Sequence, residues 1–393
     1  MTQREIFLRH LAQTSPSPLA LEIVRAEGTI LYGRYGEEWL DLIGGISVCN
    51  MGHCHPEVVN AIKDQADQYL HLLVYGEMIQ SPQVNYAKLL VDNLPGSLNS
   101  VYFTNSGAEA TEGAMKLAKR ATNRTQLAGF ELSYHGSTQG ALSLMGSEYW
   151  RNAFRPLLPD ILHLQYNEFK DLPRITEKTA AVLVESVQAE RGVYPPSLDW
   201  LQALRKKCDD TGAILILDEI QTGFGRTGRL WAFEHLGIAP DILLLGKALG
   251  GGMPLGAFIA DKNLMDKLMS NPVLGHITTF GGHPVCCAAG MAAMRALLAG
   301  NWIEEVERKS ALFSKLLIHS EIKSFRSSGL LIALEFATAE ICKKIIANCI
   351  GLGLLTDWFL FSPQCLRIAP PLTISDSEIT RACHIILQAM DKI

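Results

Sequence analysis

The segment AILILDEIQTGFGRTGRLWAFEHLGIAPDILLLGK, residues 213–247, contains two apolar runs that each lead into a charged residue. Asp218 directly follows ILIL, and Lys247 follows DILLLG. Short apolar runs bounded by polar turns are typical of strands buried in a parallel sheet. A charge at the end of a buried strand is costly unless it is paired or neutralised, so both residues are candidates for a function.

Three segments nearer the N-terminus repeat this pattern, and helical patterns alternate with the strands. The alternation predicts an α/β fold with a mostly parallel sheet and helices on both faces. In such sheets, ligands bind beyond the carboxyl ends of the strands. We therefore predict that one crevice is surrounded by the residues that follow the five strands: Asn105, Ser106, Gly107, Tyr134, His135, Glu185, Asp218, Gln221 and Lys247.

The two ends of the chain differ from this middle part. The stretch GTILYGRYGEEWLDLIGG has the glycine turns of a hairpin. The C-terminal part carries the helix CCAAGMAAMRALLAG, one strand in SFRSSGLLIALEF and two more helices. We predict that residues 1–50 and 286–393 form a smaller α+β domain and that residues 51–285 form the large domain, which contains the predicted crevice.

Composition limits the class of protein. Of the 393 residues, 48% are hydrophobic and 19% are charged, which allows a large core and argues against disorder. The net charge of −5 gives no reason to expect nucleic acid or an anionic membrane as a partner. No apolar run reaches about 18 residues, and the N-terminus lacks a signal-peptide core. Nine scattered cysteines favour a reducing, cytoplasmic location.

Two motifs suggest other chemistry only weakly. His53, Cys54 and His55 are adjacent, but no second Cys/His pair stands nearby, so no metal site is predicted. The segment GFGRTG, residues 223–228, matches a dinucleotide-binding fingerprint, although five residues separate it from the apolar strand. A nucleotide-binding oxidoreductase is therefore a minor alternative.

The residues at the strand ends share a chemistry. The turn NSGAEA offers backbone N–H groups and the Ser106 hydroxyl to a phosphate, or is an ordinary helix cap. A lysine amine in an apolar environment, such as Lys247, has a lowered pKa and attacks carbonyls. Asp218 can face a pyridinium nitrogen, and Tyr134 can stack on a flat ring. Taken singly, each residue also has an ordinary explanation in a surface loop, but together they indicate pyridoxal phosphate (PLP) chemistry.

Longer segments carry a more specific pattern: TNSGAEATEGAMKLAKR, SYHGSTQGALS, VESVQAERGVYPP, LDEIQTGFGRTGRLWAFEHLGIAPDILLLGKALGGGMPLGAF, TTFGGHPVCCAAG and LRIAPPLT. In this order they resemble class III PLP-dependent aminotransferases over nearly the whole chain, most closely the acetylornithine/ornithine-type ω-aminotransferases. The resemblance implies a PLP-dependent transferase type I fold with a small domain built from both termini. It also implies a homodimer with active sites at the subunit interface.

The resemblance also implies roles around the cofactor ring. Lys247 would form the Schiff base and shuttle a proton, and Asp218 would pair with the pyridinium nitrogen. Gln221 would lie near the ring 3-hydroxyl. Tyr134 would stack on the ring, and His135 follows it in the family pattern.

Further family positions concern the phosphate and the cofactor surroundings. Gly107 and Ala108, together with Ser106, would hold the phosphate. Thr279 would reach the phosphate of the cofactor bound by the neighbouring subunit. Glu185 matches an acidic residue that packs near the cofactor.

On the substrate side, the sequence keeps one half of the family pattern. Arg367 and Glu190 match an arginine–glutamate pair in which the arginine binds the α-carboxylate of a keto acid. Ser137 and Thr278 are predicted to bind substrate. Ser137 stands where related enzymes of the family have an arginine that binds a substrate carboxylate. Ile46 stands where ornithine aminotransferases have a tyrosine.

The missing arginine leaves two alternatives. Arg191, Arg151 or Arg155 can replace it, or all three are ordinary surface arginines. A donor whose far end is apolar or uncharged fits Ser137 and Ile46 better than acetylornithine or 4-aminobutyrate.

The sequence therefore predicts a PLP-dependent aminotransferase that moves a terminal amino group from a small, acetylornithine-like amine or amino acid to a 2-oxo acid by a ping-pong mechanism. The alternative is a PLP-dependent isomerase of the same fold, either an aminomutase or a racemase. The pair of Arg367 and Glu190 favours transamination, because such a switch serves two different substrates.

Overall fold

The computed structural model describes residues 1–393, the whole of the chain. It contains fifteen strands: β1 Ile23–Glu27, β2 Ile30–Gly33, β3 Glu38–Asp41, β4 Ser100–Thr104, β5 Gln126–Phe130, β6 Ile161–Leu164, β7 Thr179–Glu185, β8 Ile214–Asp218, β9 Ile242–Leu245, β10 Gly256–Ala260, β11 Ser324–Ser328, β12 Leu331–Glu335, β13 Leu354–Leu355, β14 Asp357–Phe359 and β15 Ser362–Ile368.

Thirteen helices accompany the strands: α1 Gln3–His10, α2 Gly44–Ser47, α3 Pro56–Gln68, α4 Ser81–Val91, α5 Gly107–Thr122, α6 Gln139–Leu144, α7 Glu148–Arg151, α8 Leu198–Thr211, α9 Lys262–Met265, α10 Pro284–Ala299, α11 Val306–Leu316, α12 Ala339–Gly351 and α13 Asp376–Met390. None of these helices is both long and apolar enough to cross a lipid bilayer.

The central sheet has seven strands in the order β4-β10-β9-β8-β7-β5-β6. Strands β6, β5, β7, β8 and β9 are parallel, whereas β10 is antiparallel to both of its neighbours, β9 and β4. The mostly parallel α/β sheet is therefore confirmed, with β6 and β10 added to the five predicted strands. Because β10 is antiparallel to both β9 and β4, strands β4 and β9 run in the same direction. The C-terminal end of β4 therefore lies on the same edge of the sheet as the C-terminal ends of the parallel strands.

Burial on both faces explains the unbroken apolar runs. Successive side chains of a strand point to opposite faces of the sheet. In β8, Leu215 and Leu217 belong to the large apolar cluster that includes Trp200 of α8. Ile214 and Ile216 belong to a second cluster, which includes Ala110 of α5. Each face is therefore covered by a helix, and the strand has no polar face that would produce an alternating pattern.

Two four-stranded sheets are built from the ends of the chain. In the first, β1, β2 and β3 from the N-terminal part are joined by β13, which pairs with β3 in parallel. The second has the order β11-β12-β15-β14. The single strand predicted in SFRSSGLLIALEF is wrong, because β11 and β12 form an antiparallel pair. Gly329 lies between them with a φ of 61°, a conformation that favours glycine. The domain boundaries at residues 50 and 285 stay predictions.

An ion pair at the end of β3 accounts for one residue of the weak metal motif. His53 Nε2 lies 2.8 Å from Asp41 Oδ2, and the other carboxylate oxygen accepts hydrogen bonds from the backbone of Ile43 and Gly44. The hydrogen bond to Asp41 raises the pKa of His53 from 6.5 to about 10, with a further contribution from Cys49. No group of three or more His, Cys, Asp and Glu side chains is placed to hold a metal ion.

This ion pair predicts a pH-dependent stability. A histidine whose pKa is raised by folding stabilises the native state fully below its unfolded pKa, here 6.5, and the contribution disappears as the pH rises towards 10. His53→Gln should lower the free energy of unfolding by about 2 kcal/mol near pH 6 and by much less near pH 10. Urea unfolding at several pH values checks this, with exposed His10→Gln as the control. An equal loss at all pH values would contradict the ion pair.

Candidate active site

The C-terminal edge of the central sheet encloses a cavity of about 260 Å³. It is lined by residues that follow strands β4, β5, β7, β8 and β9: Gly107, Ala108, Tyr134, His135, Gly136, Ser137, Glu185, Val187, Asp218, Ile220, Gln221, Thr222 and Lys247. The structure thus brings together seven of the nine residues predicted to surround the crevice, while Asn105 and Ser106 lie outside this lining.

Asp218, the last residue of β8, is buried and held in one orientation. Its Oδ2 lies 2.7 Å from His135 Nδ1, and its Oδ1 accepts a hydrogen bond of 2.9 Å from the backbone N–H of Ile220. His135 is also buried, and the hydroxyl of Thr111 donates to its backbone carbonyl. The imidazole therefore positions a carboxylate at the floor of the cavity.

Lys247 follows β9 and has a backbone φ of 49°. This left-handed conformation is unfavourable for a residue with a Cβ and is typical of functional sites. Its Nζ donates a hydrogen bond of 3.3 Å to Gln221 Oε1. Burial lowers the pKa of Lys247, and the negative charges of Glu190 and Asp218 offset only part of this effect. The amine is therefore less basic than an ordinary lysine.

Glu185, at the end of β7, connects two parts of the cavity wall. Its carboxylate accepts hydrogen bonds from the backbone N–H groups of Tyr134 (3.0 Å) and Ala189 (3.2 Å). Burial, together with the nearby Asp218, raises the pKa of Glu185 well above its ordinary value. Glu185 thereby fixes the position of Tyr134, whose hydroxyl lies 3.2 Å from the Ser137 hydroxyl.

Three predicted site residues line neither this cavity nor the neighbouring cavity around Arg367. Ser106 is the N-cap of α5 and accepts a hydrogen bond from the N–H of Glu109, as the ordinary-cap explanation requires. The Thr278 hydroxyl accepts a hydrogen bond from the Asn105 side chain, and Thr279 is exposed. The functions of Ser106, Thr278 and Thr279 stay predictions.

A second cavity, of about 500 Å³, shares Tyr134 and Lys247 with the first. Its lining consists of Gly45, Ile46, Tyr134, Glu190, Lys247, Asp357, Trp358, Leu360 and Arg367. Ile46 lies in a left-handed turn with a φ of 63°, which is strained for a β-branched residue. Because Lys247 lines both cavities, a molecule in the second cavity is in reach of its amine.

Besides Lys247, the second cavity is lined by one other basic residue, Arg367. Its guanidinium forms a bidentate pair with Glu190 at 2.8 and 3.0 Å, and its Nε donates to Asp357 Oδ1 at 2.9 Å. Although burial opposes the effect, Arg367 lowers the pKa of Glu190. For Asp357 burial prevails over Arg367 and raises the pKa to about 6. Asp357 was not among the residues predicted from the sequence, where its only signal is that it is the single charge in GLLTDWFLF.

The three arginines considered as replacements at position 137 are engaged elsewhere. Arg151 is buried and contacts Glu148 and the backbone carbonyl of Met145, and Arg155 pairs with Glu148. Arg191 donates to Gln188 Oε1 and lies over the ring of Tyr194. None of the three lines either cavity.

The glycine-rich segment of residues 223–228 forms a loop, and no helix begins at its end. Its Arg226 is fully buried and donates to the carbonyls of Leu330 and Pro370 and to Asn50 Oδ1. The segment therefore ties together distant parts of the chain and lacks the strand–turn–helix context of a dinucleotide site.

The first cavity has unused polar atoms that fit PLP. His135 Nε2, Gln221 Nε2 and Thr222 Oγ1 are buried there without a hydrogen-bond partner. Buried polar atoms without a partner are rare in proteins and point to a missing ligand. The N-terminus of α5, at Gly107 and Ala108, offers backbone N–H groups to a phosphate. Fold and cavity together define a PLP-dependent enzyme.

Comparisons with known proteins identify the family. The family model for class III aminotransferases matches residues 11–390. Acetylornithine aminotransferase from Methanopyrus kandleri is 38% identical over 388 residues, which cover 97% of each chain. Acetylornithine aminotransferase from Bacillus subtilis is 38% identical over 377 residues, 94% of this chain and 95% of the relative. The chain belongs to the class III aminotransferases.

Solved structures agree with this assignment. An ornithine aminotransferase structure from Toxoplasma gondii superposes with a TM-score of 0.92 at 28% identity, covering 99% of this chain and 93% of the other. That active site holds PLP at partial occupancy. The protein described here is accordingly a PLP-dependent aminotransferase of the type I fold, with an amine donor and a 2-oxo acid acceptor as substrates.

The geometry around Arg367 predicts how a variant should respond. Lysine keeps the charge but cannot form two parallel hydrogen bonds with a carboxylate. Arg367→Lys should therefore raise KM for the 2-oxo acid by about tenfold or more and change kcat less. Steady-state kinetics check this, with Arg326→Lys on β11 as the matched control. An unchanged KM would show that Arg367 does not bind the acceptor.

Proposed function

We propose that this enzyme transfers a terminal amino group from a small amine or amino acid to a 2-oxo acid in two half-reactions. The observation that carries this proposal is the position of Lys247, which lines both the PLP-type cavity and the cavity that contains Arg367. The acetylornithine aminotransferases found as relatives support a donor with a terminal amine.

The cofactor would be held by residues of the first cavity. Asp218, oriented by His135, would face the ring nitrogen and keep it protonated. Gln221 has a free amide nitrogen for the ring 3-hydroxyl, and Tyr134 would stack on the ring. Glu185 positions Tyr134 through its backbone N–H.

The phosphate group would bind at the start of α5. Gly107 and Ala108 line the cavity there, and their backbone N–H groups belong to the first turn of the helix, where the dipole favours an anion. The hydroxyl of Ser106, which caps the helix, retains a proton to donate.

The chemistry divides between the cofactor and Lys247. When bound, PLP supplies an electron sink that acidifies the C–H bond of the substrate carbon bearing the nitrogen. Lys247 Nζ, with its lowered pKa, would accept that proton and return it to the carbon on the other side of the nitrogen. Asp218 would stay in place against the ring nitrogen, held by His135 and the Ile220 N–H.

Arg367 would switch between two partners. With a donor that lacks a carboxylate at this position, Arg367 stays paired with Glu190. With a 2-oxo acid, Glu190 would move away and the acid's α-carboxylate would take over the bidentate hydrogen bonds. Asp357 would hold the Nε side of the guanidinium in both states.

We also propose that the enzyme acts as a cytoplasmic homodimer. Thr278 and Thr279 lie outside the cavity of their own chain, so a cofactor contact from Thr279 requires a second copy. Large apolar side chains are exposed in the same region: Leu70, Leu72, Leu73, Met78, Ile79, Ile277 and Phe280. Such a patch is typical of a protein interface.

An isomerase is the second candidate, and the pairing of Arg367 with Glu190 does not favour it. Incubation of the enzyme with a donor alone separates the two functions. An aminotransferase converts its PLP to the pyridoxamine form in a 1:1 ratio with the donor, whereas an isomerase retains the PLP form. Absorption spectroscopy follows this conversion.

Replacing the lysine tests the proposed function. Lys247→Ala should abolish turnover and the visible absorbance of PLP bound to lysine, because the variant has neither the attachment point nor the proton carrier. Lys262→Ala, at an exposed lysine, is the control and should behave like the wild type. Turnover of Lys247→Ala at the wild-type rate would refute the function.

This chain has Ser137 where the family pattern has an arginine, so introducing an arginine at this position should produce a gain of function. A guanidinium at position 137 would give the distal carboxylate of 2-oxoglutarate a bidentate partner. Ser137→Arg should therefore raise kcat/KM for 2-oxoglutarate by about tenfold. Ser137→Met, similar in length and uncharged, is the control. If Ser137→Arg shows no gain, the serine does not limit acceptance of this substrate.

A further inference from the structure

A third cavity, of about 320 Å³, opens beside Ser137. Its lining consists of Tyr134, Ser137, Gln139, Leu142, Met145, Trp150, Phe154 and Leu360. It shares Tyr134 and Ser137 with the PLP-type cavity, and Tyr134 and Leu360 with the cavity around Arg367. A molecule that reacts at Lys247 can therefore extend into this third cavity, which we term the side cavity.

The side cavity has no charged residue in its lining. Arg151, the nearest cation in sequence, is turned to Glu148, His163 and the carbonyl of Met145. On the other side, the carboxylate of Glu112 accepts hydrogen bonds from the Thr138 hydroxyl and from two N–H groups at the start of α6. Glu112 and Arg151 are thus engaged outside the side cavity, and neither lines it. A substrate carboxylate would lose hydration here and find no cation.

The walls of the side cavity are held in place by groups outside it. Arg151 Nη1 donates to the Met145 carbonyl at 2.8 Å. On the opposite wall, the backbone N–H of Leu360 donates to Glu190 Oε2 at 2.9 Å. The ring of Trp150 packs edge-on against Phe361, with 6.0 Å between the ring centroids. A preformed apolar wall costs little ordering entropy when a ligand binds.

We infer that the side cavity receives the distal end of the amine donor and that this end is apolar, an aryl or a branched alkyl group. The inference rests on the proposed function, since it assigns the far end of the same donor whose amine reacts at Lys247. Ser137, in place of an arginine, leaves the entrance uncharged, and Leu142, Met145 and Trp150 provide apolar contacts. The side cavity thus selects the donor, while Arg367 selects the acceptor.

A pair of donors of similar length tests this inference. 4-Phenylbutylamine and 5-aminopentanoate both present a primary amine on an alkyl chain, but one ends in a phenyl ring and the other in a carboxylate. In the donor half-reaction, followed by the absorbance change of the PLP-loaded enzyme, kcat/KM should be at least about tenfold higher for 4-phenylbutylamine. Equal values, or a preference for 5-aminopentanoate, would overturn the inference.

Variants show whether the preference arises in the side cavity. Trp150→Ala should lower kcat/KM for 4-phenylbutylamine by about tenfold or more and leave that for butylamine, which lacks the ring, nearly unchanged. Phe169→Ala, at an exposed phenylalanine outside the three cavities, is the matched control. An equal loss with both amines in Trp150→Ala would contradict the assignment of the ring to this cavity.

The two proposals fail in different ways. If no amine converts the loaded enzyme, the proposed function is wrong and the inference falls with it. If 5-aminopentanoate reacts and 4-phenylbutylamine does not, transamination stands and the apolar donor is refuted.

Discussion

The buried hydrogen bond between Asp218 and His135 is the constraint on which the active site depends. A carboxylate at the end of a central strand loses most of its hydration, so it needs a fixed partner inside the protein. His135 supplies that partner from the loop after β5, across β7. The parallel sheet makes this contact possible, because it brings the ends of β5, β7, β8 and β9 to one edge. Lys247 and Glu185 enter the same cavity from neighbouring strands.

The substrate side of the site also contains a buried charge that needs fixed partners, but this charge is positive. Arg367 is almost fully buried, and two carboxylates from different parts of the chain neutralise it. Glu190 comes from the loop after β7, while Asp357 begins β14 in the C-terminal sheet. In the proposed function, an anionic acceptor would replace Glu190 in its bidentate pair with Arg367, so acceptor binding would be coupled to movement of Glu190. The side cavity beside Ser137 has no charged residue in its lining, so no ion pair has to be broken when an uncharged group enters it.

The sequence predicted most of the fold because the buried strands are long apolar runs separated by clear helices. It missed β10, GAFIA, whose small residues and preceding glycines give a weak strand signal. It merged β11 with β12, since the turn at Gly329 lies within a continuous strand-like pattern. The crevice residues that follow the strands were predicted from residue type and position, whereas Ala108, Thr279 and most of the individual roles came from the resemblance to class III aminotransferases. Asp357 and the side cavity depend on contacts between distant segments, so residue patterns alone did not reveal them. The roles of Thr278 and Thr279 stay predictions, because neither residue lines the cavities around Lys247 in its own chain.

The central claim is that Lys247 is the residue that carries the cofactor in a PLP-dependent aminotransferase. Borohydride reduction of the purified enzyme, followed by peptide mass spectrometry, tests it directly, because reduction makes the linkage between PLP and its lysine permanent. One modified lysine is expected, Lys247, in the peptide that contains LLLGKALGGG. Modification of a different lysine, or of none after incubation with PLP, would contradict it.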